Sequence, residues 1–223
     1  MEPLAAQTVL VDQVYRSLVA AIADRTLQPG QRILQAELAA SLGVSRQPIS
    51  HALQLLKQQN LVQDFGRKGL QVSPIDPAGI RHLYEVRGAL DALAARLAAS
   101  RALPPAAIEA LEAAVAAGSA LGPTATLASL VQADVAFHQV VYDLSDNPAI
   151  PDTLARQWPH LRRSMGAVLD ADVYRRRAWC EHAEIARLIL AGKPDEAGEA
   201  AQQHAVDAGR QTERRLVQET PPR

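Results

Sequence analysis

The chain has 223 residues, with 23 Lys and Arg against 24 Asp and Glu and a formal net charge of −1. This balance excludes a polybasic protein that coats nucleic acid, and the length fits two modest domains better than one. A single cysteine, Cys180, permits no internal disulfide, which is typical of a reducing cytoplasm. No apolar run approaches the roughly 20 residues of a membrane span, and residues 1–7 lack the basic and apolar segments of a signal peptide. We therefore expect a cytoplasmic protein with no membrane partner.

The N-terminal part of the sequence predicts a helix-turn-helix. An amphipathic helix comes first, because apolar residues recur at helical spacing between Val11 and Ile22. Residues 37–53 then indicate two helices joined at Gly43, a residue that readily takes the left-handed conformation at a helix end. Ser45 is placed to cap the second helix, so we expect that helix to begin next to it.

The outward face of this second helix and the hairpin after it predict a DNA interface. Polar residues cluster near the N-terminal end of the helix, where a recognition helix meets base edges and phosphates. The following hairpin has the basic tip Gly66-Arg67-Lys68-Gly69, and no acidic residue lies between Glu37 and Asp64 to repel phosphate. The DNA contacts that we expect come from Ser45, Arg46, Gln47, Ser50, His51, Arg67 and Lys68.

Helix, helix-turn-helix and two-stranded wing together predict a winged helix in residues 1–74. The alternative is an ordinary three-helix packing unit with a surface turn. The turn glycine, the cap, the outward polar set and the basic wing all favour the DNA-binding interpretation.

These features resemble the DNA-binding domain of the GntR family of bacterial transcription regulators. In that family a segment of the form Leu-Ala-x-x-Leu-Gly-Val-Ser-Arg-x-Pro-Val-Arg-Glu-Ala-Leu precedes a glycine-containing wing, and it stands here at residues 38–53. The family's common Arg-Glu pair is replaced by Ser50-His51, and Ala36 stands where some members have a DNA-contacting Arg. The resemblance therefore implies DNA binding, at an operator that differs from the family's usual one.

Beyond the linker 73–77 the sequence is helical almost throughout. Proline, glycine and short polar breaks divide it into six predicted helices with no strand pattern, which is typical of an antiparallel bundle. The first helix is expected to bury Val86 and Leu93. The predicted helices cover residues 76–101, 104–118, 126–144, 149–169, 173–191 and 194–217. Residues 75–223 are thus predicted to form an all-helical second domain in a mainly α protein.

The third of these helices carries Asp134 and His138 four residues apart on an otherwise apolar face. Two ionisable groups on a buried face are costly unless something satisfies them. His182 and His204 lie on the apolar faces of the fifth and sixth helices. One carboxylate and three imidazoles facing the bundle interior are a ligand set for Zn²⁺, Ni²⁺ or Mn²⁺. On these residues alone, a group of hydrogen-bonded core residues is an equally good interpretation.

The second domain is similar to the FadR-type ligand domain of one GntR subfamily and, with six helices, to its VanR-like branch. The motifs that carry this resemblance are Tyr84-Glu85-Val86-Arg87 with Asp91, Asp134-x-x-Phe137-His138, Asn147-Pro148, Glu181-His182-x-x-Ile185, and His204. Asp91 stands where the family usually has Glu. The resemblance implies one divalent metal per chain, bound by Asp134, His138, His182 and His204.

The same resemblance implies that the bundle holds a small organic acid. Arg87 matches the first-helix Arg of the family and can bind a carboxylate through two parallel hydrogen bonds. Arg162 is a second candidate because it borders an apolar stripe, although a solvated helix face is the simpler interpretation of that position.

Together the two domains predict a transcription regulator, in this family usually a repressor, that responds to a small carboxylate and is not an enzyme. A homodimer would read the two half-sites of a pseudo-palindromic operator. One alternative is a small metal-dependent hydrolase with Glu181 or Asp91 as its base. Another is a constitutive DNA-binding protein whose metal is purely structural.

Overall fold

The computed structural model describes residues 5–67, 69–169 and 171–219. The chain divides into two compact units, Met1–Ile75 and Asp76–Arg223. Among the helices of the described residues, none is both long enough and apolar enough to span a membrane.

The first unit is a winged helix with a small antiparallel sheet. Its core is formed by the apolar faces of the first and third helices, with Leu18 and Ile22 against Ile49, Leu53 and their neighbours. The elements are α1 (Ala5–Ala23), β1 (Arg32–Ile33), α2 (Gln35–Leu42), α3 (Arg46–Gln58), β2 (Val62–Phe65) and β3 (Gly69–Val72). This order confirms the predicted helix-turn-helix.

The wing differs from the prediction by one strand. The sheet has three strands in the order β1-β3-β2, and Arg32 of β1 lies opposite Gln71 of β3. The sequence predicted two strands because β1 has two residues, too few for an alternating pattern to show. Gly43 ends α2 in the left-handed conformation, with φ of 65°, as the sequence predicted.

The second unit contains seven helices in its described residues. Two of their starts are capped by side chains: Asp76 accepts a hydrogen bond from the amide of Gly79, and Thr126 accepts one from the amide of Ser129. The helices are α4 (Pro77–Ala99), α5 (Pro105–Ser119), α6 (Leu127–Leu144), α7 (Ala149–Leu154), α8 (Trp158–Leu169), α9 (Asp172–Leu190) and α10 (Pro194–Glu219).

The helix predicted over residues 149–169 is divided into α7 and α8 by a turn at residues 155–157. Pro159 explains the division, because in a continuous helix its ring would meet the carbonyl group of Ala155 and its missing N–H would leave that carbonyl unbonded. The bundle therefore has one helix more than the six predicted, and the helix count no longer favours the six-helix branch of the family.

α4 and α10 run antiparallel as the central pair of the bundle. A Cβ on Gly209 of α10 would lie 2.5 Å from Tyr84 near the start of α4, and one on Gly198 would lie 2.7 Å from Arg96 near its end. Small residues at these positions allow the two backbones to approach closely.

This packing orients α4 differently from the prediction. The helix buries Arg87, Gly88 and Asp91, while Val86 and Leu93 keep 49% and 40% of their surface exposed. The prediction that Val86 and Leu93 are buried is wrong, because the buried face of α4 consists of alanines together with Gly88, two charged residues, Ile80 and Tyr84. The hydrophobicity of the residues alone therefore did not identify the buried face of α4.

Two glycines near the end of α5 offer a matched test of the packing. A Cβ on Gly118 would lie 1.9 Å from the Trp179 ring, whereas one on Gly122 would meet nothing within 4 Å. We expect Gly118→Ala to destabilise the helical unit by about 1–3 kcal/mol, because overpacking forces the surrounding side chains to move. Gly122→Ala should change stability by less than about 1 kcal/mol. Both tryptophans lie in this unit, so urea unfolding followed by tryptophan fluorescence measures it. Equal midpoints for the two variants would contradict the packing of α5 on α9.

Candidate metal centre and nucleic-acid interface

The exposed face of α3 carries the residues that were predicted to contact DNA. Ser45 holds the N-cap position, and its hydroxyl makes no capping hydrogen bond within the part of the chain that the structure describes. Arg46, Gln47 and His51 are exposed and Ser50 is half-buried. Free N–H groups at a helix N-terminus attract phosphate, so this end of α3 is suited to a nucleic-acid backbone.

Two arginines are the exposed cations that the described residues bring to this predicted interface. The ammonium group of Lys57 lies 2.7 Å from Oδ1 of Asp64, which offsets its charge. Arg46 is exposed in the first turn of α3, and Arg67 is exposed at the tip of the hairpin between β2 and β3. Lys68, the other wing residue in the prediction, lies outside the described residues. The described face therefore combines two arginines with neutral hydrogen-bonding side chains.

Four polar side chains from three helices converge inside the helical unit. Asp134 and His138 come from α6, His182 from α9 and His204 from α10, and all four are buried. One nitrogen from each imidazole lies within 4.8 Å of the other two. Carboxylate oxygens of Asp134 are 3.7 Å from Nε2 of His182 and 3.9 Å from Nε2 of His138. The structure thus brings together the four residues that were predicted as metal ligands, and we call them the polar cluster.

Carboxylates approach two of the imidazoles from the side away from the cluster centre. Nδ1 of His204 lies 2.8 Å from Oε2 of Glu181, and Nδ1 of His138 lies 3.6 Å from Oδ2 of Asp91. A carboxylate at Nδ1 favours the proton there and leaves Nε2 free to act as a ligand. Within the described ranges, Nε2 of His138 and Nδ1 of His182 have no hydrogen-bond partner.

Burial shifts the pKa values of three residues in the polar cluster, Asp134, His138 and His182. It lowers the pKa of His138 and of His182 well below the usual range, and the nearby Arg87 and His204 lower both further. Burial also raises the pKa of Asp134, against the opposing effect of Arg87 and His204. Neutral imidazoles are the form that binds metal ions, and a bound cation would favour the ionised carboxylate.

The separation of one nitrogen pair in the cluster fits a divalent transition metal. Nε2 of His182 and Nε2 of His204 are 3.1 Å apart. Two nitrogens that each lie about 2.0–2.1 Å from one metal are about 2.9 Å apart at a right angle and about 3.3 Å apart at the tetrahedral angle. The observed separation falls between these values. Three imidazoles with one carboxylate suit Zn²⁺, Ni²⁺ or Mn²⁺.

Arg87 lies beside the polar cluster. Its Nε donates to Oδ2 of Asp91 at 3.1 Å, and its guanidinium group lies 4.9 Å from the centre of the Trp158 ring and 5.5 Å from that of Tyr84. Burial would lower the pKa of Arg87, but the carboxylate of Asp91 and its other neighbours raise it overall. Its Nη2 has no hydrogen-bond partner among the described residues. A buried cationic N–H without a partner is costly, so this atom is suited to receive an acceptor.

A small cavity connects Arg87 to the polar cluster. Its volume is about 10 Å³, and Arg87, Asp134, His204 and Met165 are among the residues that line it. Such a volume holds about one water molecule. Arg162, the second effector contact in the prediction, is half-buried on α8 and does not line this cavity. Of the two arginines, Arg87 is therefore the one next to the cluster.

Two contacts at this site were not predicted from the sequence. Tyr142 of α6 donates to Oδ1 of Asp91 at 2.5 Å, and Glu181 of α9 holds His204 of α10. In both cases the partner lies on another helix. The sequence offered one indication of these contacts, because both residues stand close along the chain to a predicted metal-ligating histidine. Tyr142 stands one helical turn after His138, and Glu181 stands next to His182.

Comparisons with known proteins cover both units. The family model for bacterial regulatory proteins of the gntR family matches residues 10–72, and that for the FCD domain matches residues 82–207. An HTH-type transcriptional regulator in an unstable DNA locus of Streptomyces ambofaciens is 32% identical over 184 residues, which are 80% of this chain and 75% of that protein. The HTH-type transcriptional regulator YdhC of Bacillus subtilis is 28% identical over 64% of this chain and 63% of its own length.

Solved structures show the same fold. A GntR transcriptional regulator from Rhodococcus sp. RHA1 has a TM-score of 0.76 at 23% identity and covers 91% of this chain and 96% of its own. McbR/YncC of E. coli has a TM-score of 0.76 at 18% identity, covering 94% of this chain and 98% of its own. With a winged helix and an FCD domain matched in sequence, this chain belongs to the GntR family of bacterial transcription regulators.

Proposed function

We propose that this transcription regulator senses a small carboxylate through one divalent transition metal per chain, bound in its helical unit. The observation that carries the proposal is the convergence of Asp134, His138, His182 and His204 beside the unpartnered Nη2 of Arg87. A bound metal ion would compensate for the burial of these charged and polar atoms. Its charge stabilises the carboxylate, and its coordination would replace the hydrogen bond between Nε2 of His182 and Nε2 of His204.

The identity of the metal decides how an effector could bind. Zn²⁺, Ni²⁺ and Mn²⁺ all suit the donors. Four protein ligands would fill a tetrahedral site, whereas an octahedral site keeps two positions open for a carboxylate or water. We infer that the effector uses such an open position together with Arg87, whose Nη2 can donate a charge-assisted hydrogen bond to a carboxylate oxygen.

The size of the cavity implies that the effector changes the bundle. A volume of about 10 Å³ does not hold an organic acid, so side chains of α8 such as Met165 must move before one binds. A ligand shifts a conformational equilibrium only as far as its affinities for the two states differ. An acid that binds one form of the bundle and not the other meets this condition. We infer that the regulated outcome is repression, as the family resemblance implies.

The regulator is proposed to be a homodimer. A two-fold protein matches the two half-sites of a pseudo-palindromic operator. Val86 and Leu93 support this proposal, because they stand seven residues apart on the exposed side of α4 and form an apolar surface that a second copy can cover.

A constitutive DNA-binding protein with a structural metal is the second candidate, and the small volume of the cavity favours it. The third, a metal-dependent hydrolase, has less support because both of its candidate bases are engaged. Asp91 accepts hydrogen bonds from Arg87 and Tyr142, and Glu181 accepts one from Arg177 while it contacts His204.

The first prediction concerns DNA. Arg46→Ala should weaken operator binding by ~1–3 kcal/mol and relax specificity at one base pair if the side chain reads a base, whereas Lys68→Ala should weaken all sequences alike and flatten the salt dependence. Fluorescence anisotropy with operator and scrambled duplexes over a range of salt concentrations measures both effects.

Arg16→Ala is the control, because it removes the same charge from an exposed position on α1 and should leave specificity unchanged. The DNA-contacting role of α3 fails if Arg46→Ala and Arg16→Ala behave alike on both duplexes.

The second prediction concerns the metal. Reconstituted protein should hold about one divalent transition metal per chain, and His138→Ala and His182→Ala should each abolish binding. The metal should raise the melting temperature of the wild type, since a ligand that binds only the folded state stabilises it.

His82→Ala, which removes an exposed histidine outside the polar cluster, should retain both the metal and the stabilisation. Elemental analysis and melting curves with and without chelator provide the test. A wild type that holds no metal after reconstitution would rule out the site.

The third prediction concerns the effector. Arg87→Lys keeps the buried charge beside Asp91 but loses the planar guanidinium group. The binding free energy of the acid should therefore weaken by about 2–3 kcal/mol. Arg162→Lys is the matched control and should respond as the wild type does. Operator binding is titrated with a panel of small mono-, di- and tricarboxylates, using variants shown to retain metal.

If an acid acts equally on wild type and Arg87→Lys, Arg87 is not its anchor. If no carboxylate changes operator affinity in the metal-loaded wild type, the constitutive alternative is correct.

A further inference from the structure

His204 separates two spaces with different access to solvent. On one side it lines the small cavity beside Arg87. On the other it lines an open groove of about 330 Å³ between α9 and α10, together with Arg177, Glu181 and Glu184. His204 itself keeps only 5% of its surface exposed. Among the three histidines of the polar cluster, His204 is the one that borders this groove.

A chain of charged contacts holds His204 on the groove side. Oε2 of Glu181 lies 2.8 Å from Nδ1 of His204, and Oε1 of Glu181 accepts a hydrogen bond of 2.6 Å from Nε of Arg177. Nη2 of Arg177 in turn donates to Oδ2 of Asp207 at 3.2 Å. Since Arg177 and Glu181 belong to α9 and His204 and Asp207 to α10, these contacts join the two helices at the edge of the polar cluster.

The contact with Glu181 orients the His204 ring and favours a proton on Nδ1, because a carboxylate oxygen can only accept. With a proton on Nδ1 directed at the carboxylate, a neutral imidazole presents a bare Nε2 toward His182. Oε1 of Glu181 is at the same time held by Nε of Arg177, so the carboxylate is fixed on both of its oxygens. The other two imidazoles have no carboxylate this close to Nδ1. Nδ1 of His138 is 3.6 Å from Oδ2 of Asp91, and Nδ1 of His182 lacks a hydrogen-bond partner within the described residues.

We infer that Glu181 is the positioning residue for His204 and that the groove beside it is the route by which the metal enters and leaves. The cavity beside Arg87 has room for only about one water molecule, whereas a rotation of the His204 side chain toward the groove would open the cluster to solvent. The Glu181 carboxylate opposes that rotation and so slows metal release. This inference rests on the proposed metal site and adds a kinetic role for a residue that is not a ligand.

The test measures metal release from the purified full-length protein. Loaded wild type, Glu181→Ala, Glu181→Gln and Glu184→Ala are mixed with excess chelator, and the rate of metal transfer is followed. Glu184 provides the matched control, because it lines the same groove but is paired with Arg187. Glu181→Ala should weaken metal affinity about tenfold to a hundredfold, mainly through faster release. Glu181→Gln should release the metal at a rate between those of the wild type and Glu181→Ala, since an amide oxygen can still accept a hydrogen bond from Nδ1. Glu184→Ala should release it at the wild-type rate.

A second readout needs no metal. In ¹⁵N spectra of the metal-free wild type, the proton of neutral His204 should reside on Nδ1, and in Glu181→Ala it should redistribute toward Nε2. A purely structural role for Glu181 would change the melting temperature without changing the tautomer.

The outcomes separate the two proposals. If the wild type binds no metal, the metal site itself fails. If the wild type binds metal but Glu181→Ala releases it no faster than Glu184→Ala, the positioning role and the groove route are both wrong while the metal site stands. If affinity falls only through slower binding, with an unchanged release rate, the groove route is wrong.

Discussion

The burial of charged and polar side chains at the centre of the helical unit is the constraint on which its organisation depends. Removing an ionised carboxylate or an imidazole from water costs several kcal/mol unless partners replace the lost hydration. The bundle meets this cost with groups drawn from four helices, since Arg87 and Asp91 lie on α4, Asp134 and His138 on α6, His182 on α9 and His204 on α10. Because each helix contributes part of the compensation, helix packing and site geometry are fixed together. The small residues along α4 and α10 serve this arrangement, since they let the backbones approach closely enough for the polar groups to meet.

The sequence predicted best those features that depend on local spacing. Gly43, Ser45 and the outward polar face of α3 lie within a few turns of one another, so the helix-turn-helix could be recognised along the chain. The pairing of Asp134 with His138 was visible for the same reason, as two positions one helical turn apart. Convergence with His182 and His204 required knowledge of which helices are neighbours. The residues alone left it open, and the family resemblance supplied it.

The features that were not predicted depend on contacts between distant segments or on a single overlooked residue. No pattern along the chain joins Glu181 to His204 or Tyr142 to Asp91, because antiparallel packing brings them together. The exposure of Val86 and Leu93 has the same origin, since packing between the helices buries a different face of α4. The division between α7 and α8 could have been predicted from Pro159, whose ring is incompatible with the interior of a continuous helix.

The polar cluster is proposed to be a metal site whose ligands are three imidazoles and one carboxylate. X-ray absorption spectroscopy of the metal-loaded protein tests this most directly, because it reports the number and type of atoms around the metal. The account predicts nitrogen and oxygen scatterers at about 2.0–2.2 Å for zinc, with the multiple-scattering pattern of three imidazole rings and no sulfur. A sulfur scatterer at about 2.3 Å, which would place Cys180 on the metal, or a pattern with fewer than three imidazoles, would contradict it.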